Sequence, residues 1–160
     1  MLLLFLSVLL TLIYCSHGDL IADTCRKTQY PLICISTLRS NPHSRSADVK
    51  GLVRFILKAA LGKANTILNL ANDLLKKTKD PILRQSLDTC ISVYQDALDE
   101  IPIAIENVGK NNVEASDNAS ATFVDADTCE ESFSNSPFAA DNKAVKQLAV
   151  VAEDIIGSLG

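Results

Sequence analysis

The sequence predicts an all-α fold: an up-down-up-down four-helix bundle with an N-terminal α-helical hairpin and two disulfides. Three observations predict it. Apolar residues recur at helical spacing through four long segments joined by short polar connections. Chain breakers are scarce, with six Gly and five Pro in 160 residues, and 5% of the residues are aromatic, which disfavours a turn-dense sandwich. The cysteine count becomes even once a leader is set aside, as expected of a stapled secreted domain. The length suits one domain that buries roughly two thirds of its unfolded surface. An apolar fraction of 48% against 21% charged excludes an intrinsically disordered chain.

The leader is residues 1–18. Met1 to Tyr14 carries no charge, and its apolar run is shorter than the roughly 20 residues that span a bilayer. Ser16-His17-Gly18 then supplies the small residues that flank a cleavage point, so the segment reads as a secretory signal peptide. One domain follows at 19–160, divided into a hairpin at 19–44 and a bundle at 46–160. Removing the leader takes Cys15 and His17 and leaves Cys25, Cys34, Cys90, Cys129 and His43.

Within the hairpin the chain breaks at Tyr30-Pro31, because a residue before proline avoids the helical region. Two short helices folded back on each other would bring Cys25 and Cys34 together. Ser40 to Ser44 is a polar connector around Pro42. The first bundle helix is expected over Ser46 to Thr78, with Ser46 and Asp48 at its start and Lys76, Lys77 and Lys79 at its end, where the dipole favours cations. Its stripe is Val49, Leu52, Val53, Ile56, Ala60, Ala64, Ile67, Ala71, Leu74 and Leu75.

Asp80-Pro81 opens the second bundle helix, with Asp as cap and Pro at the first helical position. Its stripe is Leu83, Leu87, Cys90, Ile91, Tyr94, Leu98, Ile101 and Ile105. Pro102 should kink or interrupt it, and Gly109 should close it. The third, Ala-rich helix is expected over Asn111 to Phe133, with Val113, Phe123, Ala126, Cys129 and Phe133 inward. After a loop containing Pro137, the last helix runs from Asp141 to Leu159, with Val145, Leu148, Ala152, Ile155 and Leu159 inward.

Four cysteines allow three pairings. The local one, Cys25 with Cys34 and Cys90 with Cys129, is the simplest. The loop-closure model assigns it about 2.7 and about 4 kcal/mol. Zinc is the competing use, but the spacing lacks the paired knuckles that bring two thiolates to one ion. No metal and no cofactor are therefore expected. His43 sits in an exposed polar stretch, and no nucleophile elbow, phosphate loop, dinucleotide fingerprint or paired-His metal motif is present. The chain reads as a non-enzyme. Nucleic acid is not an expected partner, since the compartment is wrong and no aromatic platform exists; nor is a membrane.

Charge is divided along the chain. Residues 19–84 hold 12 Lys/Arg and 5 Asp/Glu, a net +7, whereas residues 85–160 hold 3 and 14, a net −11. The two halves either neutralise one another inside the bundle or leave a polarised surface that steers a partner. Asn118-Ala119-Ser120 is a glycosylation sequon, which makes Asn118 a candidate glycan site.

Four pieces of sequence, in order and with matching cysteine spacing, carry a family resemblance. They are Thr24-Cys25-Arg26-Lys27-Thr28 with Tyr30-Pro31-Leu32-Ile33-Cys34; Ser40-Asn41-Pro42 with Ser46-Ala47-Asp48 and Gly51-Leu52; Asp80-Pro81 leading to Asp88-Thr89-Cys90 and Tyr94; and Asp127-Thr128-Cys129-Glu130-Glu131-Ser132-Phe133. Together they resemble the plant invertase and pectin methylesterase inhibitor family over essentially all of residues 19–160. The resemblance implies a secreted inhibitor, in the apoplast or the vacuole, whose partner is a plant acid invertase or a pectin methylesterase.

Ile101-Pro102-Ile103-Ala104-Ile105-Glu106 is similar to the Pro-x-Ala-Ile-Glu stretch of invertase inhibitors, and Ser136-Pro137-Phe138 with Ala144-Val145 and Leu148 resembles the same branch. These tip the expectation slightly towards invertase. The Pro-Lys-Phe motif of that branch falls at about Asn112-Val113-Glu114, where its cation and aromatic are replaced. Ser120-Ala121 before Thr128-Cys129 is closer to the esterase inhibitors. The target-binding residues that the resemblance implies are Asn111, Asn112, Val113 and Glu114. A non-inhibitory extracellular bundle is the remaining alternative.

Overall fold

The computed structural model describes residues 19–160. The signal peptide expected at 1–18, with Cys15 and His17, lies outside the described residues. The hairpin comprises α1 (Leu20–Cys25) and α2 (Pro31–Ser40). A 3-10 turn (Pro42–Ser46) leads to α3 (Val49–Lys77), α4 (Pro81–Asn107), α5 (Asn112–Glu131) and α6 (Ala139–Gly157). Helix α3 packs on α4 and α6, and α5 packs on α4 and α6, so the four close into a bundle. No strand occurs among the described residues.

Helices α1, α3, α4 and α5 begin where a side chain accepts from the free amides, whereas α2, entered through Pro31, and α6 have no side-chain cap. The Asp48 carboxylate accepts from Gly51 N at 2.8 Å. The Asp80 carboxylate accepts from Ile82 N at 2.9 Å, with Pro81 in the first turn. Asp19 caps α1, and its carboxylate also receives the Arg39 guanidinium at 2.7 Å, which clasps the two hairpin helices. Gln29 N donates to Asp154 Oδ2 at 2.8 Å and ties the hairpin turn to α6.

The core is aliphatic and continuous. Leu52, Val53, Ile56, Leu57 and Ile67 from α3 meet Leu87, Tyr94 and Ile101 from α4 and Val145, Leu148, Val151, Ile155 and Ile156 from α6. Ile21 and Leu38 carry it into the hairpin. The disulfides are Cys25–Cys34, with Cα atoms 5.5 Å apart, and Cys90–Cys129, with Cα atoms 4.5 Å apart. The local pairing is thus the one formed.

Several expectations are corrected. Helix α3 starts at Val49 rather than Ser46, because Pro42–Ser46 forms its own 3-10 turn and Asp48 alone caps the helix. Pro102 does not interrupt α4; it lies on an exposed face, where a displaced carbonyl can be hydrated. Val113 points outward and is 73% exposed, and Phe123 and Phe133 are half-buried. The buried stripe of α5 is instead Ala115, Ala119, Thr122, Ala126 and Cys129. Helix α6 ends at Gly157, so Leu159 packs half-buried beyond it.

Candidate docking site

The residues Asn111, Asn112, Val113 and Glu114 lie at one end of the bundle, where α4 turns into α5. The turn begins with Val108, which is buried and caps α4. The guanidinium of Arg54, from α3, donates to Val108 O at 2.7 Å and to Ile105 O at 3.3 Å. It thereby satisfies carbonyls that the helix end leaves free. Gly109 follows at φ +76°, a left-handed conformation that side chains disfavour. The Lys50 side chain lies against it, so a Cβ there would sit 2.7 Å from Lys50 Cδ.

Two asparagines then fix the start of α5. Asn111 Oδ1 accepts from Glu114 N at 3.2 Å, while Asn111 Nδ2 donates to Glu114 Oε2 at 3.0 Å. Asn112 Oδ1 accepts from Gly109 N at 2.8 Å, and Asn112 Nδ2 donates to Gly160 O at 3.0 Å. The Glu114 carboxylate sits in the first turn of α5, where the helix dipole favours an anion. Val113 projects from this braced turn with no apolar cover.

The arrangement offers no nucleophile and no acid–base pair. It offers a rigid end with one exposed aliphatic side chain beside a carboxylate, suited to docking rather than to turnover. Asn118, the sequon residue, is half-buried on α5, and its Nδ2 donates to Glu114 O at 2.8 Å. In the stretch resembling invertase inhibitors, Ile101 and Ala104 are buried, whereas Pro102, Ile103 and Glu106 are exposed. Phe138, Val145 and Leu148 belong to the core. His43 is exposed, as expected. Among the described residues no group of three or more His, Cys, Asp and Glu is arranged to hold a metal ion.

The sequence reading missed Arg54 and Lys50, which brace the turn from α3. Cations on an amphipathic helix read as solvated surface, and nothing local marks these two. It also missed a buried polar chain beside the second disulfide. Tyr94 Oη donates to Asn142 Oδ1 at 2.6 Å, and Asn142 Nδ2 donates to Glu130 Oε2 at 2.8 Å.

Comparisons with known proteins agree with this fold. Residues 19–155 match the family model described as plant invertase/pectin methylesterase inhibitor. The chain is 32% identical over 145 residues to a pectinesterase inhibitor from Actinidia deliciosa, covering 84% of this chain and 78% of that protein. It is 32% identical over 146 residues to the cell wall / vacuolar inhibitor of fructosidase 1 from Arabidopsis thaliana, covering 89% and 70%. Among solved structures, a mutant form of a pectin methylesterase inhibitor from Arabidopsis superposes with a TM-score of 0.76 at 20% identity, over 89% of this chain and 99% of that one. That likeness shows the shared bundle.

Proposed function

The chain belongs to the plant invertase/pectin methylesterase inhibitor family, and on that premise we propose that it is a secreted inhibitor that obstructs the substrate cleft of a plant acid invertase. Pectin methylesterase is the alternative target. Members of the family inhibit enzymes and are not enzymes themselves. The partner is therefore a carbohydrate-active enzyme. The expected compartment is the apoplast, with the vacuole as the other one, in keeping with a relative named for cell wall and vacuole. None of the described helices is long and apolar enough to cross a membrane.

The observation that carries this reading is the exposure of Val113 on a turn braced by Asn111, Asn112 and Arg54. A preorganised apolar residue loses little entropy on docking, so more of its burial appears as affinity. Inhibition needs only that this end enters the cleft and excludes substrate. The second reading rests on the carboxylates of α4 and α5, which include Asp96, Asp99, Glu106 and Asp117 on largely exposed positions. A target with a basic cleft would take that helix face, and the turn would matter less.

The test is the paired substitution Val113→Ser with Glu114→Gln, which keeps a side chain able to complete the cap. Inhibition of acid invertase should weaken on the order of tenfold, as for loss of a modest interface anchor. Unchanged inhibition of invertase would remove the turn from the interface.

A further inference from the structure

We propose that Glu100 of α4 and Asp125 of α5 share one proton across the seam between these helices, and that losing it as pH rises weakens the α4–α5 hairpin. Glu100 Oε2 and Asp125 Oδ2 are both buried, and neither meets a donor. Each carboxyl alters the other's hold on a proton. Two ionised carboxylates are acceptors only, so they can bond only through a proton that one of them keeps. The Cys90–Cys129 disulfide sets the register of the two helices, seven residues on placing Ala97 opposite Thr122. Helical side chains lean towards their own N-termini. Antiparallel α4 and α5 therefore aim Glu100 and Asp125 at the same level, that of buried Ala97 and Thr122.

The surroundings reinforce the sharing. Burial, then the Glu100 charge, pushes the Asp125 carboxyl up to about 7. Burial also raises Glu100, against the hydrogen bond to Asp125. The two titrate as a unit, so the retained proton belongs to the pair. The charges acting on it are acidic. Asp96 acts on both carboxyls and Asp99 on Glu100, all from α4. From the same helix the Tyr94 phenol lies within the field of Asp125. On α6, Asp141 and the α5 carboxylate Glu130 act on Tyr94, while Lys146 is bound to Asp127 at 2.7 Å. No Lys or Arg stands among the groups acting on either member of the pair. Nor is the cluster arranged to hold a metal ion, so a proton is what relieves it.

The sign follows from linkage. A carboxyl held above its unfolded value of about 4 binds more proton in the native state between that value and about 7. The stabilisation is complete below the unfolded value and is lost as pH rises through the folded one. The protein should be more resistant to unfolding in mildly acidic medium than near neutrality, whichever enzyme it inhibits.

The experiment is a pair of measurements on the disulfide-bonded protein. Carbon NMR of the Asp125 and Glu100 carboxyls should show one of them titrating near neutrality in the unmodified chain. The urea midpoint should fall between about pH 5 and about pH 8, and this fall should shrink in Glu100→Gln, whose amide can donate to Asp125 without a proton. Titration of both carboxyls in the ordinary range near 4 would overturn the proposal. So would midpoint curves that stay parallel in the two proteins. The NMR arm decides the matter even where the variant folds poorly.

Discussion

Tyr94 is the largest of the fully buried side chains, and its hydroxyl cannot be left without a partner. Asn142, buried at the start of α6, accepts that proton and passes a hydrogen bond on to Glu130 of α5. Burial, followed by the charges of Asp125, Asp141 and Glu130, holds the phenol above its usual range, so it remains a donor at every physiological pH. Tyr94→Phe should therefore cost about 1–3 kcal/mol, because Asn142 Oδ1 keeps its burial and loses its donor. Denaturant unfolding reads this directly, and an unchanged midpoint would mean that the chain of bonds contributes nothing. Tyr94 was legible as an inward residue from its place on the α4 stripe. Asn142 was not, since a single polar residue in a helical first turn ordinarily faces water.

At the level of elements, legibility follows the size of the buried side chains. Helices α3, α4 and α6 bury Leu, Ile and Val at helical spacing, and their inward faces were readable from that spacing. Helix α5 buries Ala115, Ala119, Thr122, Ala126 and Cys129, a stripe of small residues with little hydrophobic contrast. Its larger apolar residues misled the phase: Val113 faces outward and Phe123 is half-buried. Small residues on that stripe bring α5 close to α4, consistent with the 4.5 Å Cα separation of the disulfide between them. The sequon lies on this same helix. Asn118 is half-buried, and its bond to Glu114 O uses one amide hydrogen, leaving the other position for an N-linked sugar. Protein expressed through a plant secretory pathway should lose mass on enzymatic deglycosylation, and Asn118→Gln should abolish the loss. An unshifted mass for the unmodified protein would show the sequon to be unused.

For the whole molecule, the four bundle helices were legible in extent from local spacing and chain breakers, and the two disulfides as the simplest of three pairings. The choice of target was not. Ile101, Ala104, Phe138, Val145 and Leu148, which resemble the invertase branch, are core residues and serve the bundle that both branches share. On the proposed reading, specificity lies with exposed residues such as Val113 and Glu114, where the branch motif is altered. The division of charge is also a property of the whole chain. Among the described residues Lys63–Asp141, at 3.2 Å, is the one ion pair joining the basic half to the acidic half. The polarity therefore largely persists at the surface, where it can speed encounter with an oppositely charged cleft and fade with added salt.

The most direct measurement of the central claim is inhibition by the refolded, disulfide-bonded protein, titrated in parallel against a plant acid invertase and a plant pectin methylesterase. The proposal predicts saturable, stoichiometric loss of invertase activity with the esterase spared. Loss of esterase activity alone, or silence on both enzymes with the bundle intact, would contradict it.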